Sequence, residues 1–242
     1  MLGPHSTAND WELRMSMRSF RMHYRFPLRI WIIGRLPAWV SPEAVNYLSW
    51  PDPYRRSKDA NLLHKALRLA MEPGLSDPFI LCSDDHFLLK PSLPEDFKLW
   101  RGDELPITPI EGMTRWQLRL VNTGVQLRLA GFPAFFFDTH VPYPLHKAWI
   151  RETLRFDFSK KPGMSLFSTI LNCSREQALP MKGNQVRGWL GQADYTPEVI
   201  SRRLTTRRFA CFTDHSLEDT YLTSQVEHLF AAPAPWELDR ET

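Results

Sequence analysis

Residues 79–89 read Phe79-Ile80-Leu81-Cys82-Ser83-Asp84-Asp85-His86-Phe87-Leu88-Leu89: an apolar run, two adjacent carboxylates with a histidine, and a second apolar run. Phe79 to Cys82 predicts a short buried strand whose carboxyl end delivers the acids, and Phe87 to Leu89 resumes apolar character. Upstream, Ser57 can cap a helix over Lys58 to Met71, with Ala60, Leu63, Leu67 and Ala70 as its buried face and Pro73-Gly74 as its stop. Within Asp10 to Arg25, Leu13, Met17, Phe20 and Tyr24 recur at helical intervals, and Arg14, Arg18, Arg21 and Arg25 follow one position behind. That spacing predicts an amphipathic helix with an arginine edge. Leu28 to Ile33 reads as a strand stopped by Gly34, and Ser41-Pro42-Glu43 predicts the start of a short helix.

Downstream, Ala134 to Phe137 reads as a strand ending at Asp138-Thr139-His140, and Arg208 to Phe212 as one ending at Asp214-His215. Leu145 to Leu154, Met164 to Cys173 and Leu217 to Phe230 read as helices. The alternation predicts an α/β fold, a mostly parallel sheet sandwiched by helices, with ligands bound at the carboxyl ends of the strands. On that expectation His140 lies close to Asp84 and Asp85, because all three follow strands.

At 242 residues, 43% hydrophobic and 24% charged, the composition suits one globular domain over 1–242 and excludes general disorder. The longest apolar runs, Leu28 to Gly34 and Ala130 to Phe137, are far short of the ~20 residues that span a bilayer. No signal-type apolar segment opens the chain, so a cytoplasmic protein without a membrane span is expected. Cys82, Cys173 and Cys211 are widely spaced, which argues for buried thiols and against a disulfide framework or zinc ribbon. Charge is uneven. Residues 1–58 carry nine bases and four acids, residues 175–210 seven and three, and residues 77–111 three and eight. Such a distribution suits a protein that brings a polyanion to an acidic metal-binding centre.

Adjacent carboxylates after a buried strand raise one another's pKa, and a hard divalent cation such as Mg²⁺ or Mn²⁺ relieves both. The same dipeptide also fits an exposed turn or a helix cap. His140, fixed by Val141-Pro142-Tyr143-Pro144, can contact phosphate or act as acid or base, or be only a loop histidine. The arginine edge fits a phosphate clamp, a nucleic-acid backbone or a solvated helix face.

Several segments resemble one family. Glu12-Leu13-Arg14-Met15-Ser16-Met17-Arg18-Ser19 is similar to the Glu-Leu-Arg-Tyr-x-Leu-Arg-Ser signature of the Stealth family. That family includes bacterial capsule sugar-phosphate transferases and the animal lysosomal-enzyme N-acetylglucosamine-1-phosphotransferase. Pro37-Ala38-Trp39 resembles its Pro-x-Trp, and Leu75-Ser76-Asp77-Pro78-Phe79-Ile80 with Ser83-Asp84-Asp85 its Leu-Ser-x-x-Phe-Ile and Asn-Asp-Asp. His140-Val141-Pro142 resembles its His-x-Pro. Arg208 to Asp214 is similar to Lys-Phe-x-Cys-Leu-Asn-Asp, and Phe230 to Glu237 to its closing Phe-Pro-x-x-Ser-x-Phe-Glu. Ser83 and Thr213 replace Asn, Met15 replaces Tyr, and Ala231 and Ala234 replace Pro and Ser. Lys160 and Lys161 are the nearest cations to a family arginine that follows the histidine. The family's first strand is nearly absent upstream of Asp10.

The resemblance implies a nucleotide-sugar transferase (GT-A-like) architecture. It implies a metal-dependent enzyme that moves a sugar or sugar-phosphate from a nucleotide-activated donor to a hydroxyl acceptor. Asp84 and Asp85 would hold Mg²⁺ or Mn²⁺ on the diphosphate, and His140 would serve as acceptor-side base or phosphate contact. Arg14, Arg18, Lys160 and Lys161 would bind donor phosphate, while Asp138 and Asp214 would support these groups or bind the acceptor. A glycan is the expected acceptor, in a bacterial cytoplasm. The basic segments also suit a phage-type enzyme glycosylating hydroxymethylated DNA in an infected host, or a non-catalytic nucleic-acid-binding module on a transferase fold.

Overall fold

Helices and strands alternate in a mixed α/β fold, seen in a computed structural model that describes residues 10–54, 57–181, 195–212 and 214–238, the side chains of Asp214 and His215 excepted. The helices are α1 (Trp11–His23), α2 (Lys58–Ala70), α3 (Arg115–Leu129), α4 (Lys147–Glu152), α5 (Leu166–Cys173), α6 (Pro197–Thr206) and α7 (Thr220–Leu229). The strands are β1 (Trp31–Gly34), β2 (Asn46–Ser49), β3 (Phe79–Leu81), β4 (His86–Leu88), β5 (Trp100–Arg101), β6 (Tyr143–Leu145), β7 (Leu179–Pro180) and β8 (Phe209–Cys211). No helix among the described residues is long and apolar enough to cross a membrane.

The strands associate in pairs. β1 with β2 and β5 with β7 are parallel, whereas β3 with β6 and β4 with β8 are antiparallel. The expected mostly parallel sheet is thus replaced, among the described residues, by small two-stranded units of both senses. One reason is visible at β4. Its free edge is covered by α1, where Ser16 Oγ donates to the His86 carbonyl at 2.5 Å and Ser19 Oγ accepts the Leu88 N–H at 3.0 Å. Those hydroxyls satisfy backbone groups that a third strand would otherwise take.

Three other expectations are corrected. Ser41-Pro42-Glu43 opens a turn closed by the Ala44 N–H on the Ser41 carbonyl, and the chain then enters β2. Ala134 to Phe137 is extended but joins other backbone only through a bridge between Phe135 and Glu104 and flanking hydrogen bonds. Leu145 belongs to β6, and the helix expected there starts at Lys147.

The main core gathers Leu63, Ala66 and Leu69 of α2, Leu81, Leu88, Tyr143 and Leu145 of the central strands, and Ile170 and Leu171 of α5. α1 adds Phe20 to it, Met15 to a second cluster with Phe87, Leu204 and Phe230, and Met17 to a third with Ile32, Val40 and Trp236. A helix shared by three clusters is apolar around much of its circumference, so part of its arginine edge is drawn inward.

Candidate metal and catalytic centre

Strand register builds the site. Leu81 at the end of β3 pairs with Tyr143 at the start of β6, and His86 at the start of β4 pairs with Cys211 at the end of β8. The turn between β3 and β4 carries Asp84 and Asp85, and the loop into β6 carries His140. Antiparallel pairing therefore folds His140 and Cys211 back against Asp85. Their donor atoms, a carboxylate oxygen, an imidazole nitrogen and a thiol sulfur, all lie within 4.8 Å of one another. The expected closeness of Asp85 and His140, 55 residues apart, is present, but His140 reaches it by preceding an antiparallel strand.

Asp85 and His140 are each held from behind. Asp85 Oδ1 lies 3.9 Å from His86 Nε2, and the fully buried His86 accepts the Ser83 N–H on Nδ1 at 3.3 Å, which fixes the turn. Burial pushes the His86 pKa down to about 3, so this imidazole is neutral at physiological pH. His140 has φ of 56°, a left-handed conformation that histidine adopts more readily than most residues. Its loop is clamped by Tyr143, whose hydroxyl meets Thr139 Oγ1, the Phe137 carbonyl at 2.8 Å and the Trp100 carbonyl at 3.0 Å. Val141 and Tyr143 are wholly buried.

Electrostatically the centre is strained in favour of protonated acids. Burial, and then the charge of Asp84, pushes Asp85 up to about 6, against the opposing influence of His140 and Lys58. Burial likewise raises Asp138 to about 6, although it accepts the Ser165 hydroxyl at 2.6 Å and feels Arg119. Asp59 is raised by burial against its ion pair with Arg119. Asp85 is the perturbed carboxyl that meets His140, and a carboxyl shifted this far next to an imidazole makes the pair a candidate site.

The remaining expected residues fall elsewhere or play other parts. Asp84 acts on Asp85 through its charge and does not join the three converging donors. Arg18 is bonded to Glu237, and Arg14 lies over the Trp39 ring at 4.7 Å with Nε 3.7 Å from Glu237. Lys160 and Lys161 are exposed, with Lys160 paired to Asp157 at 3.2 Å. Asp214, as a side chain, lies outside the described residues. Three contributors were not expected: Cys211 as a donor, Lys58 as a cation acting on Asp85, and Arg119 as a cation acting on Asp138 and Asp59. The pairing of β4 with β8 is the signal for the first; Arg119 lies in α3, a helix the periodicity reading passed over.

The converging set offers one oxygen, one nitrogen and one sulfur, whereas Mg²⁺ and Mn²⁺ prefer oxygen donors, so these three side chains together fit neither ion well. Nor do they suit a cysteine nucleophile, because Cys211 is fully buried and burial pushes its thiol well above the ordinary range. Beside the loop, sharing Phe137 with it, lies a cleft of about 310 Å³ lined by Arg101, Phe135, Asn172 and Arg175. Arg101 stacks on Phe135 at 4.0 Å there. No protein-family model matches the chain and no curated protein sequence does, so the functional reading rests on the geometry of this centre.

Proposed function

We propose that the chain is a transferase that moves a sugar or sugar-phosphate from a nucleotide-activated donor to a hydroxyl acceptor, most naturally a glycan, on a nucleotide-sugar transferase (GT-A-like) scaffold in the cytoplasm. The observation that carries the reading is the meeting of Asp85 and His140 in one partly exposed centre with a perturbed carboxyl. His140 takes the proton of the acceptor hydroxyl as its oxygen attacks. Attack at the sugar carbon breaks the carbon–oxygen bond to phosphate and releases a nucleoside diphosphate; attack at the sugar-bearing phosphorus breaks the phosphoric anhydride and releases a monophosphate. Lys58, whose charge acts on Asp85, supplies positive charge beside the centre for the departing phosphate. Arg101 stacked on Phe135 offers a flat cationic and aromatic wall suited to a nucleotide base.

The test is turnover of a panel of nucleoside diphosphate sugars with soluble glycans and with hydroxymethylated duplex DNA as acceptors, read by mass spectrometry. Wild type transfers to a glycan, and His140→Asn, which tolerates the left-handed backbone, loses about 10²- to 10⁴-fold in kcat with its melting temperature little changed. A fully active His140→Asn enzyme, or a wild type that turns over no nucleotide sugar, overturns the reading. Transfer to DNA alone replaces the glycan as acceptor, and duplex binding without turnover replaces the enzyme with a binding module.

A further inference from the structure

We infer that Asp85, His140 and Cys211 form a binding site for a borderline-soft divalent cation of the Zn²⁺ class, with Cys211 as a thiolate ligand. The inference deepens the transferase reading by naming the ion at the same centre, and it changes the part of His140 there: an imidazole nitrogen held by the ion cannot also take the acceptor's proton, so in the ion-loaded enzyme His140 is a ligand and the ion would acidify the acceptor hydroxyl, whose proton leaves to solvent. It rests on the transferase reading for the ion's role in turnover and on the donor set for binding. Three donors of three chemical kinds arrive from three separate segments: the β3–β4 turn, the loop before β6 and the end of β8. Bonds of about 2.0 Å to nitrogen and oxygen and about 2.3 Å to sulfur put tetrahedral donors about 3.3–3.6 Å apart. Donors already within 4.8 Å reach that spacing by small side-chain rotations. Nitrogen and sulfur select zinc-like ions over Mg²⁺, and two of the three protein donors, carboxylate and imidazole, are not sulfur, which disfavours monovalent copper.

The surroundings fit an ion as well. The Cys211 sulfur is buried, so as a thiol it is inert, and a bound cation is what turns such a group into a useful ligand by displacing its proton. Three protein ligands with an accessible side leave a fourth position for an outside ligand, the pattern of a working site and not of a closed structural one. Access is through Asp85, whose side chain keeps 24% of its exposure. The second layer is present too, with the Asp85 turn fixed by His86 and Ser83, and the His140 loop by Tyr143.

The experiment uses the full chain, freed of metal with a chelator and titrated with Co²⁺, which reports thiolate coordination as a near-ultraviolet charge-transfer absorption. One Co²⁺ per chain with that absorption is expected, displaced by stoichiometric Zn²⁺ and not by a large excess of Mg²⁺. Cys211→Ser loses the absorption and binds Co²⁺ about 10- to 100-fold more weakly, or worse. Cys173→Ser, remote from the site, keeps both. Should Cys211→Ser fail to fold, His140→Asn decides: it stays folded, and a comparable loss of affinity is required. No bound Co²⁺, Co²⁺ bound without a thiolate band, or displacement by Mg²⁺ overturns the inference. The two readings separate cleanly: wild-type turnover by Cys211→Ser in Mg²⁺ sinks the ion while sparing the transferase, and stoichiometric Co²⁺–thiolate binding without any turnover does the reverse.

Discussion

The guanidinium of Arg18 grips Glu237 at two points, Nε to Oε1 at 2.6 Å and Nη2 to Oε2 at 2.7 Å, while Nη1 donates to the Phe230 carbonyl at 3.0 Å. Glu237 also accepts the Ala234 N–H at 3.0 Å, so one carboxylate fastens the C-terminal segment to α1. With its donors so engaged, Arg18 is a poor candidate for a donor phosphate. Breaking a pair this buried leaves an uncompensated charge, and Glu237→Gln should cost about 2–4 kcal/mol at pH 7. Burial alone would raise the Glu237 pKa, but the Arg18 hydrogen bonds, the Ala234 N–H and the charges of Arg18 and Arg14 together hold it below its ordinary value. A depressed carboxyl contributes its full stability above its unfolded pKa of about 4.3 and loses it as the pH falls through the folded pKa. Urea unfolding of wild type should therefore weaken below about pH 4 with a contribution that Glu237→Gln lacks. Equal stability of the two proteins at pH 7 would show that the clamp holds nothing.

α3 illustrates how an element is decided by its neighbours. A methyl group placed on Gly124 would lie 2.6 Å from the Pro106 carbonyl oxygen and 3.1 Å from Leu105 Cβ. Alanine gains about 1 kcal/mol of helix propensity over glycine, whereas overpacking against backbone costs about 1–3 kcal/mol. Because the 2.6 Å contact is with backbone, which gives way least, Gly124→Ala should lower stability by up to about 2 kcal/mol, read from the urea midpoint at unchanged slope. A more stable variant would mean that α3 does not press on residues 105–107. The same helix shows why part of the fold was hard to read. Trp116, Leu118 and Leu129 are exposed, so its apolar residues do not trace one stripe, and the usable signal was the capping box in which Thr114 and Gln117 exchange hydrogen bonds. α1 and α2 were legible because their apolar residues recur at helical spacing, and α5 and α7 because long apolar-rich segments run between turn residues, although the Ser57 side chain expected to cap α2 makes no cap hydrogen bond. Ser41-Pro42-Glu43 misled because a capped helix and a type I turn begin with the same residues. At the site, Asp85 and His140 stood out as polar groups bounding apolar runs. Cys211 did not, since its place beside Asp85 comes from strand pairing across more than a hundred residues.

Over the whole molecule, the two arginine-rich regions meet. The Arg25 N–H donates to the Ser92 carbonyl at 2.8 Å, and Arg208 reaches the Pro91 carbonyl at 2.6 Å and Ser92 Oγ at 3.1 Å. α1 and α6 also share a core cluster through Met15, Ile200 and Leu204. Continuity alone does not make a nucleic-acid surface, because Arg14 and Arg18 face Glu237 and Arg208 pairs with Asp96 at 3.2 Å. Arg21, Arg25 and Arg202 are the exposed members. Each phosphate contact steepens the slope of log affinity against log salt by about 0.9, so three such contacts would contribute about 3. The glycan reading predicts that replacing all three with alanine shifts the slope for duplex DNA by less than about 1 and leaves glycan transfer unchanged, because these arginines serve only solvation. A fall of about 3, with loss of transfer to hydroxymethylated duplex, would instead assign the joined basic face to DNA, the duplex being held by its phosphates while a base is turned toward the centre at Asp85 and His140.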